Sequence, residues 1–451
     1  MTQHTLWLHL SVTCFLGLLL SACVADEAAK TDGPQGDAML LSDANSQGAG
    51  GTAGAGGTMM MDAAGGTGGI GQAEDAGEVS PDGGVVDVGA PEPDGAMAAP
   101  ARFGGMRPAS YFLPQDYDPA VPMPLIVSLH GYTGSGLGQN TYLGLSELTE
   151  VLGTLLIIPN GRRNGANQRF WSATDFCCDF GNQGDVDLDY LRGLIDEAKT
   201  HFNIDEERIG LIGHSNGGFM AYRMACEASD LVTAVVSLAG TSWAEADRCG
   251  SPSPVSVLHA HGTWDATIRY SGRVATAGDP LASPDFFGCR ARDCAESAQA
   301  CDNDPECVTL AQCAAECGWG EGDSDCRQLC WLQAGEASRE RWYEDLLCTV
   351  NAGCWDNPAE ASPGYASADD MIERWRNRNG CMGDGASGDP LNLTTERVGV
   401  DTRVTQWASC ERGTKVEQWR MNRVSHVPQF RSDFSANVVA FILGTPRGLE
   451  E

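Results

Sequence analysis

Six short apolar runs, bounded by Gly or Pro, recur along the chain from Pro124 onward. They are Pro124–His130, Leu155–Ile158 within Gly153–Pro159, Arg208–Gly213, Val232–Leu238, Val255–Ala260 and Val416–Met421. Runs this short and rich in β-branched residues predict strands buried on both faces. Between them, apolar residues recur at helical spacing. The windows are Leu143–Leu152, Val186–Phe202 (through Leu188, Leu191, Leu194, Ile195 and Ala198), Gly218–Cys226, Ala366–Arg376 and Phe434–Ile442. Strands and helices in alternation predict an α/β fold, a mostly parallel sheet with helices on both faces. In such sheets ligands sit beyond the carboxyl ends of the strands.

The N-terminal hundred residues have a different pattern. Leu6 to Leu20 is an apolar run ending in Leu20-Ser21-Ala22-Cys23. It is too short to span a bilayer and ends in small residues, as a secretory signal does. The ending resembles the lipobox of bacterial lipoproteins, which implies a lipoprotein-type signal peptide over 1–23, lipidation of Cys23 and a membrane link through that anchor alone. An ordinary signal cut near Ala22 or Ala25 is the alternative. Residues 24–101 are Gly, Ala, Asp, Thr and Met without an apolar face. They are expected to form a disordered linker, because they cannot bury enough surface to offset the entropy of ordering.

Composition refines this division. The 451 residues carry 61 Asp+Glu against 29 Lys+Arg, a net charge of -32. That balance argues against nucleic acid as a partner and against docking on anionic lipid. The 18 Cys point to an oxidising compartment, to metal sites, or to both. Ten of them, 289, 294, 301, 307, 313, 317, 326, 330, 348 and 354, fall within 282–360, a stretch interposed between 102–281 and 361–446. Cys313/Cys317 and Cys326/Cys330 are each four apart, a spacing that lets two antiparallel helices be stapled twice. No His occurs between Gly262 and Ser425, so mixed Cys/His zinc sites are excluded there and disulfides are favoured. The insertion, expected to be mainly helical, reads as a lid, a substrate-docking module or a stability device. It holds 16 acidic and 5 basic residues, and the linker from Val24 to Pro100 holds 13 acidic residues and one Lys. The acidity therefore belongs largely to the attachments rather than to the body.

The chemistry centres on Gly213-His214-Ser215-Asn216-Gly217, between a predicted strand and a predicted helix. Gly-x-Ser-x-Gly alone is a weak signal, but a strand-to-helix turn of small residues exposes a serine Oγ at the top of a sheet. Eight His make elimination possible for its base. His4 and His9 lie in the signal, His201 ends a helix, His214 is inside the turn, His130 closes a strand, and His259 and His261 flank a strand end. His426 remains, in a loop before the last helix. Asp265, just past the strand Val255–Ala260, is the candidate to orient it. An oxyanion needs two N–H donors. Asn216 is one candidate. The loop His130-Gly131-Tyr132-Thr133-Gly134 offers the other, Tyr132 first and Thr133 second.

The strings Leu129-His130-Gly131, Gly213-His214-Ser215-Asn216-Gly217-Gly218, His261-Gly262-Thr263-Trp264-Asp265 and Asn379-Gly380-Cys381 resemble those of secreted poly(3-hydroxybutyrate) depolymerase and feruloyl esterase-type α/β-hydrolases, grouped with carbohydrate esterases. Phe170-Trp171-Ser172, the vicinal Cys177-Cys178 before Asp185-Val186-Asp187, and Cys410 also fit. The likeness spans roughly 107–274 and 366–443. It implies an α/β-hydrolase fold, Ser215, Asp265 and His426 as the triad, a Cys381–Cys410 disulfide, and neither metal nor cofactor. Two departures stand out. Ser425-His426-Val427-Pro428 lacks the Trp usual near the base, and Arg269 stands where a Pro is usual before Tyr270. The expected function is an exported serine esterase acting on a polymeric or oligomeric ester, a polyester or feruloyl or acetyl esters of plant polysaccharide. Trp171, Trp264 and Tyr270 are candidate substrate contacts. The alternative is a surface-displayed binding protein with an inactive hydrolase body.

Overall fold

The central strands coincide with the apolar runs, because a strand covered on both faces leaves no position for a solvated side chain. The computed structural model describes residues 102–179, 184–277, 286–317, 329–331, 333–356, 363–395 and 399–444. The signal peptide, Cys23 and the linker to residue 101 lie outside the described residues. The parallel strands are β2 (Met123–Leu129), β3 (Leu155–Ile158), β6 (Ile204–His214), β7 (Ala234–Leu238), β8 (Ser256–Gly262) and β11 (Val416–Met421). With β1 (Ser110–Phe112), β9 (Ala386–Ser387) and β10 (Thr402–Trp407) they form one sheet in the order β1-β3-β2-β6-β7-β8-β11-β10-β9. β1, β9 and β10 pair antiparallel with their neighbours at the edges. A short hairpin, β4 (Arg162–Arg163) with β5 (Arg169–Phe170), lies outside this sheet.

Helices cover both faces. On one face, Leu191, Leu194 and Ile195 of the helix Val186–His201 share a core with Phe219 and Tyr222 of Asn216–Glu227 and with Trp375 of Ala368–Arg378. On the other, Leu143 and Leu145 pack with Phe434, Val438 and Ile442 of the helix Asp433–Leu443. The helix Ala368–Arg378 begins two residues later than its apolar pattern suggests. Ser367 and Asp370 form a capping box there, and such a box fixes where the first turn starts.

One expectation is corrected. Leu143–Leu152 is not a single helix. Two helices, Gly136–Leu143 and Leu145–Leu152, meet at Gly144, whose left-handed backbone (φ 62°) ends one and starts the next. The first escapes an apolar-pattern reading because its inward residues include Gln139 and Asn140. Asn140 bridges the break, exchanging two 2.9 Å hydrogen bonds with Ser146.

Between β8 and Ala368–Arg378 the chain forms the helices Phe286–Asp293, Ala295–Asp302, Pro305–Cys317 and Glu336–Asn351. Disulfides Cys289–Cys354, Cys294–Cys348, Cys301–Cys307 and Cys313–Cys330 tie this insertion together. A second staple between Cys317 and Cys326 lies outside the described residues. In the body, Cys177–Cys178, Cys226–Cys249 and Cys381–Cys410 are paired.

Candidate active site

The parallel register carries three strand ends to one place. Met421 of β11 lies opposite Gly262 of β8, so the loops that follow them run side by side, with Trp264 N–H donating to the Val424 carbonyl (3.1 Å). Asp265 sits in the first loop and His426 in the second. β6 lies one strand beyond β7 and ends at His214, directly before Ser215.

Ser215 occupies a strained turn. Its φ is 53° with ψ -119°, a region non-Gly residues seldom adopt. Two glycines make the turn possible. A Cβ on Gly213 would lie 2.0 Å from the Gly217 carbonyl oxygen, and one on Gly217 would lie 2.2 Å from that of Leu129. Any larger residue at either place forces strand and helix apart. Ser215 N–H is held by the Leu238 carbonyl (2.8 Å).

The three candidate residues meet. Ser215 Oγ lies 2.9 Å from His426 Nε2, and His426 Nδ1 lies 2.6 Å from Asp265 Oδ2. Asp265 is fully buried, and its Oδ1 accepts from the N–H groups of Thr267 (2.9 Å) and Ile268 (2.8 Å). Burial pushes this carboxyl up, but His426 and His261 beside it outweigh burial and hold it well below the usual carboxylate range. The site therefore keeps a fixed negative charge behind His426. His214 Nε2 reaches the His426 carbonyl oxygen at 2.9 Å, which holds the base loop from the other side. Burial and the neighbouring His426 push His214 down to about 4.

The loop after β2 runs against the nucleophile. A Cβ on Gly131 would lie 3.4 Å from Ser215 Cβ. Thr133 N–H is donated to the Arg169 carbonyl (2.7 Å), which commits the second candidate donor of this loop elsewhere. The Asn216 side chain embraces the Trp171 backbone, accepting its N–H (2.7 Å) and donating to its carbonyl (2.9 Å). Trp171 Nε1 in turn donates to the His130 carbonyl (3.0 Å). Ser172 and Arg107 bond the buried Asp187, and Arg223 reaches Ser172 and Asp185. The motif residues around Phe170 and Asp185 thus frame the turn.

The aromatic candidates fall differently from expectation. Trp171 is 0% exposed and braces the loop from behind rather than facing an open surface. Trp264, 8% exposed, lies beneath Tyr343 of the insertion, stacked at 4.6 Å and 15°. Tyr270 directs its hydroxyl to Asp369 (2.7 Å) and Gln418 (2.9 Å), which fasten the helix Ala368–Arg378 to β11. Each ring is held by protein contacts, and a bulky apolar side chain finds such partners readily in a close-packed body. Arg269, at the position of the usual Pro, bonds Asp356 of the insertion (3.1 Å).

The structure is a mostly parallel α/β sheet that brings Ser215, His426 and Asp265 together beyond the carboxyl ends of its strands. Residues 101–293 match the family model described as "Putative esterase". Among curated proteins, "Putative esterase NocK" of Nocardia uniformis subsp. tsuyamanensis is 30% identical over 163 residues, 36% of this chain and 46% of that protein. The bifunctional acetylxylan esterase/xylanase XynS20E of Neocallimastix patriciarum is 27% identical over 147 residues, 33% of this chain and 20% of that protein. Feruloyl esterase C of Emericella nidulans is 24% identical over 192 residues, 41% of this chain and 64% of that protein. The chain thus spans less than two thirds of each of these relatives. Among solved structures, the acetyl xylan esterase from Aspergillus awamori aligns over 74% of this chain and 93% of that one, with 11% identity and a TM-score of 0.39.

Proposed function

We propose that this protein is an exported serine esterase that hydrolyses feruloyl or acetyl esters of plant polysaccharide. The observation that carries the reading is the unbroken row Ser215 Oγ, His426, Asp265 at 2.9 Å and 2.6 Å, with a strained serine at its head. Ser215 Oγ attacks the ester carbonyl as His426 Nε2 takes its proton. Asp265 stays ionised, fixes the N–H on His426 Nδ1 and stabilises the imidazolium. The N–H groups of Tyr132 and Asn216 receive the oxyanion. His426 returns the proton to the departing alcohol, and water activated by the same base cleaves the acyl-enzyme. No step requires a cofactor.

The printed names of the acetylxylan and feruloyl esterase relatives support the polysaccharide esters over a polyester. The signal-like N-terminus and seven disulfides among the described residues support export. The binding-protein alternative has no support in the site, whose three polar groups are spaced for proton transfer. The test is hydrolysis of feruloylated xylan, acetylxylan and polyhydroxybutyrate by the purified protein and by Ser215→Ala. The substitution should lower kcat by about 10⁴-fold or more on the true substrate. Equal rates for the two proteins would overturn the reading, and turnover of the polyester alone would overturn the substrate class.

A further inference from the structure

Behind the Asp265 carboxylate lies a row of three buried side chains that the chemistry above does not use. Tyr222 Oη is 2.8 Å from His259 Nδ1, and His259 Nε2 is 3.2 Å from His261 Nδ1. His261 Nε2 ends the row, 2.8 Å from the Ile268 carbonyl oxygen and 3.2 Å from Asp265 Oδ2. All three residues are fully buried. His259 and His261 are two apart on β8, so both rings leave the sheet on the face that carries the helix of Tyr222.

The polarity of the row is set at its inner end. A carbonyl oxygen only accepts, so His261 carries its hydrogen on Nε2. A neutral His261 then presents a lone pair at Nδ1, which His259 Nε2–H fills. His259 presents its own lone pair at Nδ1, which Tyr222 O–H fills. Burial supports these states. It drives His259 well below its ordinary value, with His261 adding to the effect, and raises Tyr222 well above its own. Any reversal of one ring sets two lone pairs face to face in a dry interior, where an unmet polar group is costly.

The geometry points to Tyr222, His259 and His261 as a tautomer-locking row that holds a second N–H against Asp265, at the same oxygen as the one from His426, and so makes the three positioning residues for the esterase chemistry. This rests on the triad reading of Ser215, His426 and Asp265. Asp265 Oδ1 then accepts two backbone N–H groups, and Oδ2 lies between His426 Nδ1 and the His261 Nε2–H, which it shares with the Ile268 carbonyl, so the carboxylate is held toward His426. The His261 N–H also shares the carboxylate's charge. The other titratable groups set close to this pair are His214, against His426, and Tyr365, near Asp265.

The experiment has two arms. ¹⁵N NMR of histidine-labelled full-length protein, without substrate, should find His259 and His261 both protonated at Nε2 only. A proton on Nδ1 of either ring overturns the proposal, whatever the activity. Kinetics of His261→Leu, His261→Gln and Tyr222→Phe form the second arm. His261→Leu should lower kcat about tenfold with little change in KM, the worth of one charge-assisted hydrogen bond. His261→Gln, which retains an N–H near the Nε2 position, should restore kcat, and Tyr222→Phe should show a smaller loss in the same direction. If His261→Leu lowers Tm while kcat stays in place, the row is only packing and the proposal falls. Failure of the triad reading would show separately, as activity persisting in Ser215→Ala.

Discussion

At the scale of the residue, the turn around Ser215 is held by backbone proximity. The glycines at 213 and 217 are required by the space between β6, the following helix and β2, so Gly213→Ala or Gly217→Ala should destabilise the fold by roughly 3 kcal/mol or more, read from denaturant midpoints. Two buried histidines govern a different property. His130 donates from Nδ1 to the Gly131 carbonyl (2.6 Å) and accepts the Gly161 N–H at Nε2 (2.9 Å), and it and His214 are both pushed down to about 4, burial being the main cause. Their folded values lie below the ordinary 6.5, so the unfolded chain takes up protons first as pH falls. Stability should be full above about 6.5 and decline from there toward pH 4, by at most on the order of 3 kcal/mol per histidine. His130→Gln should flatten part of that decline in urea titrations across this window. The meeting of Ser215, Asp265 and His426, the candidate triad, was legible in sequence because the turn motif marks the serine and eight histidines allow elimination. The Tyr222 row was not, since His259 and His261 look like strand-end residues. Their spacing of two on one face of β8 was the available signal.

At the scale of the element, the base loop is fastened by the insertion. Arg423, three residues before His426, has a positive φ of 56°. Its N–H donates to Thr263 Oγ1 (2.9 Å), its guanidinium lies 5.3 Å above Trp264, and it pairs with Glu340 (2.6 Å) and Glu344 (3.2 Å) of the helix Glu336–Asn351. These ion pairs are about a third exposed or more, so each contributes modestly in water. Arg423→Ala should still lower kcat about two- to fivefold by loosening His426, with Tm almost unchanged, and high salt should produce part of the same effect in the wild-type protein. Equal kcat for variant and wild type would sever the insertion from the chemistry. The buried parallel strands were readable because their runs are uniformly apolar. β10 was not, because this antiparallel strand near the rim of the sheet alternates outward polar residues such as Arg403 with inward Val404. β1 and β9, of three and two residues, are too short for any pattern.

At the scale of the molecule, the body and its insertion rely on different forces. Among the described residues, the body has two large apolar cores, while the insertion has a small one around Leu310, Cys330 and Ala334 and leans on disulfides. Cys289–Cys354 closes a segment 65 residues long, worth about 4 kcal/mol if chain entropy alone counts. Reduction should therefore unfold the insertion first, seen as proteolytic cleavage within 282–360 before any in the body. The cysteine count announced this stapled unit, but no sequence pattern could reveal that it seats on the acid and base loops. That contact joins partners 79 or more residues apart, through side chains of no distinctive spacing. The sheet order has one practical consequence. The chain enters the body beside β1, the outermost strand, whereas the acid and base loops follow β8 and β11, five and six strands across, roughly 24 Å or more at the usual strand spacing. A bead or cell wall coupled ahead of Phe103 would grip the molecule by its flank, and the immobilised protein should work at nearly its free rate, with its mouth turned toward whatever solid it meets.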